Sequence, residues 1–234
     1  MEKVTYGIIA AMKEEMEEIK KIMRNIQEKQ IYELKFIIGQ IKNVDIVLVE
    51  CGVGKVNAAR VTQILIDNFP EIDIVINVGS SASANDELDI GDIVIGEKLV
   101  QHDFDITAFG YKKGYISNVG ENIQSNPNLI QKMKDVILNL PESNCKAKIG
   151  TIVSGDVFCT DVILKNNIRK EFDADAIDME SAAIAQVCYL DNKPFIIIRS
   201  ISDKPNGNNE ITFEEFLKLA SKRCAMILES FIEK

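Results

Sequence analysis

Short runs of β-branched and aliphatic residues alternate along this chain with stretches whose apolar positions recur every three to four residues. The runs Val4–Ala10, Ile31–Ile38, Val44–Glu50, Ile72–Val78, Ile93–Val100, Ala147–Val153 and Pro194–Arg199 read as strands. Their near-continuous apolar character suits a sheet covered on both faces. Between them, Met12, Met16, Ile19 and Met23 share one helical face, and so do Val56, Ala59 and Ile64 in a helix that Pro70 stops after Phe69. Glu180–Tyr189 predicts a helix of small residues, Ser181-Ala-Ala-Ile-Ala185, able to pack close to a sheet. Thr212-Phe-Glu-Glu215 is a capping-box pattern that opens a terminal amphipathic helix reaching Ile232. This alternation predicts an α/β fold: a three-layer α/β/α single domain, residues 1–234, around a central mixed, mostly parallel sheet. Residues 103–125, rich in Gly, Tyr, Lys and Asn, have no clear period. They read as a surface loop, or as an ordered loop that closes a pocket or meets a second subunit.

Composition narrows the function classes. With 46% hydrophobic and 27% charged residues the chain has material for a core and a soluble surface, and no apolar run approaches a membrane span. Met1 to Lys13 mixes charges into its apolar stretch and makes a poor secretory signal. A formal net charge of −9 disfavours nucleic acid, whose binding needs Lys and Arg to replace counterions, and suits a small, weakly charged ligand. The five cysteines are scattered without a CxxC pair, and His102 is the single histidine, so no zinc site is expected and a reducing, cytoplasmic compartment is. His102 sits in a polar His102-Asp-Phe-Asp105 run, a poor setting for the base of a catalytic triad.

Candidate chemistry lies where apolar segments end. Phe195-Ile-Ile-Ile198 runs into Arg199-Ser-Ile-Ser-Asp203, delivering an aspartate at the carboxyl end of a strand, where open α/β sheets place ligands. Asp203 is either a loop cap or a poorly solvated carboxyl able to donate a proton near neutral pH. Glu15 and Glu180 sit at comparable exits, and each also reads as an acid favoured at the start of a helix. Cys51-Gly-Val-Gly-Lys55 lacks both the spacing of a nucleotide-triphosphate loop and the third glycine of a dinucleotide fingerprint. What remains there is a tight glycine turn between strand and helix. Asn77-Val-Gly-Ser-Ser81 and Ser154-Gly-Asp156 are turns of the same form, and several such turns converging on one pocket would be informative.

Taken together, these segments resemble the 5′-methylthioadenosine/S-adenosylhomocysteine nucleosidases of the purine nucleoside phosphorylase superfamily. The resemblance covers nearly the whole chain. It rests on Gly7-Ile-Ile-Ala-Ala-Met-Lys-Glu-Glu15, Gly52-Val-Gly-Lys55, Asn77-Val-Gly-Ser80 and Gly91-Asp-Ile-Val94. It continues through His102-Asp-Phe-Asp-Ile-Thr-Ala-Phe-Gly-Tyr111, Ser154-Gly-Asp-Val-Phe158, Asp178-Met-Glu180, Arg199-Ser-Ile-Ser-Asp203 and Phe213-Glu-Glu-Phe216. The resemblance implies a nucleoside phosphorylase-like fold and hydrolysis of the N-glycosidic bond of an adenine nucleoside, without a cofactor or metal. Asp203 would protonate N7 of adenine, Glu15 would activate water and Glu180 would hold the ribose hydroxyls. Arg199 and Ser80 would help place water and sugar, and Ala82 and Ser202 would contact substrate. The Cys159 backbone would meet the adenine edge, with Phe158 stacked on the base. Met12, Val53, Met179 and Phe213 would line the sugar and 5′-substituent pocket. A homodimer is implied, Phe109 matching the residue that reaches into the neighbouring subunit's pocket.

The chemistry suits these residue types. Departure of adenine leaves an oxocarbenium-like sugar, favoured by ionised Glu15 and Glu180, while the acid at 203 must keep its proton near neutrality. A free aspartate titrates near ~3.9, so a shift of ~3 units is required of Asp203, for which the apolar strand before it is the expected source. Phosphorylase relatives bind phosphate with arginines. They typically carry one where this chain has Asn77, and Met12-Lys-Glu-Glu15 replaces their amino-terminal phosphate-binding region, so hydrolysis is expected over phosphorolysis. Two departures from the nucleosidase pattern bear on substrate preference. Gly-Ser-Ala-Gly-Gly becomes Gly79-Ser-Ser-Ala-Ser83, and Glu-Met-Glu becomes Asp178-Met-Glu180. The remaining alternatives are a phosphorylase, a nucleosidase for 5′-deoxyadenosine or futalosine-type substrates, and a nucleoside-binding protein without turnover.

Overall fold

In the computed structural model, which describes residues 4–140, 145–204 and 213–233, every predicted apolar run contributes to one sheet. The order along the chain is β1 (Tyr6–Ala10), α1 (Lys13–Ile22), β2 (Met23–Ile31), β3 (Leu34–Ile41), β4 (Val44–Glu50), α2 (Lys55–Asn68) and β5 (Ile74–Ser83). Then come β6 (Ile93–Gln101), β7 (Ile123–Gln124), α3 (Pro127–Leu138), β8 (Ala147–Ser154), α4 (Val162–Phe172), β9 (Ala174–Asp178), α5 (Ser181–Leu190), β10 (Phe195–Asp203) and α6 (Phe213–Glu233).

The sheet is mixed. Strand β1 lies parallel between β4 and β5, and β5 also runs parallel to β10. Strand β10 is antiparallel to β6, which is parallel to β8, which is parallel to β9, which returns antiparallel to the end of β5. Strands β5, β10, β6, β8 and β9 therefore close a ring, a feature that strand signals along the chain do not reveal. Successive side chains of a strand point to opposite faces, so Ile8 joins one core with α1, α3 and α6, while Ile9 joins another with α2 and α5. This is the expected three-layer arrangement. The small-residue segment Ala182–Ala185 is buried against the sheet.

Three strands and two helices carry no strong signal in the sequence. Strand β2 is an edge strand, exposed along most of its length and rich in charge, so it lacks apolar alternation. Strand β7 has two residues and β9 five. Helix α3 begins at Pro127, with the Asn126 side chain accepting from the Asn128 and Leu129 N–H groups; α4 begins after Asp161, which accepts from Leu164 N–H. Met23, placed on the helical face by its spacing, instead opens β2. Residues 103–125 form turns, a short 3-10 turn at Thr107–Phe109 and strand β7. Among the described residues no helix is long and apolar enough to cross a membrane.

Candidate active site

The carboxyl ends of β1, β5, β9 and β10 meet the segment after β8 around a cleft of about 430 Å³. Of the residues singled out from the sequence, Met12, Glu15, Val53, Ser80, Ala82, Phe158, Cys159, Met179, Glu180, Ser202 and Asp203 all line it. Two do not: Arg199 is buried behind the wall, and Phe109 stands out from the 3-10 turn at 80% exposure. The Phe213 side chain lies outside the described residues, as does Thr212. His102 is buried but is not part of the lining.

Glu15 occupies the third position of α1. Its Oε2 accepts from the Ala11 and Met12 N–H groups at 3.0 and 3.2 Å, which satisfies donors that a helix start leaves open. Its Oε1 accepts from Ser80 N–H at 3.0 Å. Glu15 is therefore a helix-start acid and a cleft carboxylate at once. Burial pushes its pKa up, opposed by Arg199 and by the N–H groups of Ser80, Met12 and Ala11. A methyl group added at Gly79 would sit 3.0 Å from Glu15 Oε1 and 3.1 Å from Arg199 Nη1, so glycine lets β5 pass between the two.

Glu180 sits at the start of α5, where its Oε1 accepts from Gly54 N–H at 3.0 Å. Burial, then the neighbouring Asp178 charge, pushes its pKa up to about 7, against the pull of Arg199 and the Gly54 N–H. Next along the same turn, Lys55 N–H donates to Asp156 Oδ1 at 2.8 Å, and Lys55 Nζ donates to Asp103 Oδ1 at 2.5 Å. Both Gly52 and Gly54 have positive φ, 78° and 99°. The turn that superficially resembles a phosphate loop thus aims its first helical N–H groups at carboxylates of its own chain.

The two departures from the family pattern have structural accounts. Asp178 Oδ1 accepts from Ser154 Oγ at 2.5 Å and from the Glu180 and Ser181 N–H groups at 3.2 Å. Its Oδ2 accepts from Arg199 Nε at 2.6 Å and from the Ser181 hydroxyl. The shorter acid is fully occupied as anchor for α5 and counter-ion for Arg199, whose Nη2 donates to Asn77 Oδ1 at 2.5 Å. Ala82 and Ser83 do not have positive φ; they continue β5 and pair with Ile177 and Ala176, so no glycine is required there. The buried Ser83 hydroxyl bonds within its own turn, donating to the Asn85 carbonyl at 2.8 Å.

Asp203 ends β10 and bonds to a residue that its own strand does not supply. The ammonium of Lys165, from the first turns of α4, donates to Asp203 Oδ2, with side-chain exposures of 2% for the lysine and 24% for the aspartate. Ser202 Oγ lies 2.7 Å from Asp203 Oδ1 and 2.9 Å from the Ser81 carbonyl oxygen. Lys165 was not singled out from the sequence. Its one local trace is a place three residues before the buried Ile168, where a lysine ordinarily reads as part of a solvated helix face.

The chain matches the family model of the phosphorylase superfamily over residues 5–233. A 5′-methylthioadenosine/S-adenosylhomocysteine nucleosidase of Staphylococcus aureus is 39% identical over 97% of this chain and 99% of its own. The crystal structure of such a nucleosidase from Colwellia psychrerythraea, in complex with adenine, aligns with a TM-score of 0.92 at 34% identity over 99% of this chain and 96% of that one. A futalosine hydrolase of Helicobacter pylori aligns with a TM-score of 0.90 at 30% identity over 98% and 97% of the two chains. With its fold and nearly its full length in common with them, the chain belongs to the phosphorylase superfamily and, within it, to the 5′-methylthioadenosine/S-adenosylhomocysteine nucleosidases.

Proposed function

We propose that this enzyme hydrolyses the N-glycosidic bond of 5′-methylthioadenosine and S-adenosylhomocysteine, with Asp203 as general acid at N7, Glu15 as the base for water and Glu180 on the ribose hydroxyls. The observation that carries this reading is the convergence of Glu15, Glu180 and Asp203, far apart in sequence, on one cleft. Protonation of N7 makes adenine a neutral leaving group. The positive charge that develops on the sugar is stabilised by Glu15 and Glu180, and it favours their ionised forms as the bond breaks. Water, activated by Glu15, then adds to the anomeric carbon. Phe158 is exposed at the cleft mouth, where a flat base would stack on it.

Phosphorolysis fits the charges poorly. Among the described residues Lys165 is the one cation in the lining, and it is bound to Asp203; Arg199 spends its donors on Asp178, Asn77 and the Ile198 carbonyl. A phosphate nucleophile would face carboxylates. The exposed Phe109 and Tyr111 on the turns after β6 support a homodimer in which a second copy covers them. Five free cysteines, four of them buried, suit a reducing, cytoplasmic setting.

Adenine release from methylthioadenosine in phosphate-free buffer is the test, run beside S-adenosylhomocysteine, 5′-deoxyadenosine and a futalosine-type nucleoside. Turnover of the two thio-substituted adenosines without phosphate is the expected result. Release that appears only on adding phosphate rejects hydrolysis, and a preference for the futalosine-type nucleoside moves the substrate assignment.

A further inference from the structure

We infer that Lys165 is the proton reserve of the base-side acid: it pairs with Asp203 at the cleft and supplies, through Asp203, the proton that adenine takes at N7. The inference rests on the nucleosidase reading and adds a residue to it. A buried ammonium in contact with a carboxylate favours the ionised carboxylate. A proton donor held in that form must first be given a proton, and the ammonium in contact with it is the nearest source. Lysine can do so: its ammonium yields a proton when its surroundings favour the amine, which a guanidinium does not.

The surroundings of Asp203 provide for both of its forms. As a carboxylate it accepts from Lys165 through Oδ2. As an acid it has a partner at Oδ1, because Ser202 Oγ carries one proton and lies within reach of two acceptors. With that proton on the Ser81 carbonyl, the Ser202 oxygen can accept from Asp203. The transfer balances. An Nζ–H bond of Lys165 breaks as an O–H bond forms on Asp203; that O–H bond breaks as N7–H forms; and the C1′–N9 bond breaks with its electron pair going to neutral adenine. Asp203 ends as a carboxylate and Lys165 as an amine, which takes a proton from water once adenine has left.

Among the described residues the other polar and titratable groups around the pair are few. Cys159, on the segment before α4, carries a thiol that burial pushes up, and Asp161 caps α4 beside it. Lys204 offers its carbonyl to Lys165 at 3.4 Å and directs its own ammonium to Asp89. Across the cleft stand Glu15, Asp178 and Glu180. All of these remain when Lys165 alone is replaced; the Lys165 charge holds the Cys159 thiol down, so its loss pushes that thiol further up and keeps it protonated.

The experiment compares adenine release from methylthioadenosine by the wild type, Lys165→Met and Lys165→Arg between pH 6 and pH 9. A lone aspartic acid loses its proton near pH ~4 and a lysine ammonium near ~10, so the pair stays loaded where an unaided acid runs short. Lys165→Met is expected to fall progressively behind the wild type with rising pH, reaching at least ~10-fold at pH 9, within the range of lost acid–base help. Lys165→Arg, which keeps the charge and withholds the proton, is expected to be slower than Lys165→Met at pH 6. A structural ion pair gives the opposite order, with arginine rescuing. A Lys165→Met profile parallel to the wild type, or Lys165→Arg at wild-type rates, overturns the inference. The methionine profile decides alone if the arginine variant does not fold. No adenine release by the wild type would instead remove the nucleosidase reading and this inference with it.

Discussion

The sugar side and the base side of the cleft hold their carboxylates by different means. Glu15 and Glu180 are fixed by backbone N–H groups of Ala11, Met12, Ser80 and Gly54, and Asp178 behind them takes five donors, including Arg199 Nε. Among the described residues Asp203 finds no backbone donor for its carboxylate and is held by two side chains, Lys165 and Ser202. Backbone donors hold a carboxylate in one place, as charge stabilisation of a cationic sugar requires. Side-chain partners can exchange protons and move, as delivery of a proton to a leaving base requires. The difference in anchoring fits the difference between the tasks proposed for these acids.

Breaking the sugar side at its root should have the largest effect. Arg199→Met leaves Asp178 buried without its cation, and loss of one member of a buried pair costs about 3–5 kcal/mol. Denaturant unfolding should show a loss of that size; a change below ~1 kcal/mol would mean that Asp178 is adequately held by its hydroxyl and N–H donors.

Next in size come the acids themselves. Glu15→Gln and Asp203→Asn are each expected to lower turnover by at least ~100-fold, the scale of lost acid–base help. Near-normal rates in either variant would remove the role assigned to that residue. Their structural consequences should differ. In Glu15→Gln the amide NH₂ must face an N–H donor, because both carboxylate oxygens accept from backbone. In Asp203→Asn the cost is a buried ammonium left unpaired. Adding Lys165→Met to Asp203→Asn should therefore recover melting temperature while leaving turnover low. A double variant no more stable than Asp203→Asn would show that the pair is not what strains the single one.

The smallest expected effect sharpens the comparison through pH. Glu180 has a folded-state pKa of about 7 against an ordinary value of 4.5, so folding favours its acid form. The stability this contributes is complete below pH 4.5 and is lost as pH rises through about 7. Glu180→Gln lacks this loss, so its melting temperature relative to the wild type should rise between pH 5 and pH 8. Each kcal/mol corresponds to roughly 2–4 °C in a chain of this size. A constant difference across that range would place the Glu180 titration elsewhere.

Much of the scaffold was legible along the chain because burial leaves a local trace. Strand β4 spans the residues its apolar run predicts, and β1, β6, β8 and β10 extend or trim theirs by a few residues. The acids at 15, 180 and 203 stood out because each follows an apolar segment. Strand β2 and helix α4 did not stand out, since a mostly exposed element has little apolar period to read.

The sequence by itself determined the layers, the cleft strands β1, β5 and β10 though not β9, and the carboxylates near their ends, because period and composition report on burial within a few residues. The tertiary structure alone decided the partners. It closed the ring of β5, β10, β6, β8 and β9, turned Arg199 inward onto Asp178 and Asn77, and set Lys165 against Asp203 across 38 residues of chain. Such pairings follow from how distant segments pack, and a lysine on a helix carries the same local signature whether it meets water or an aspartate.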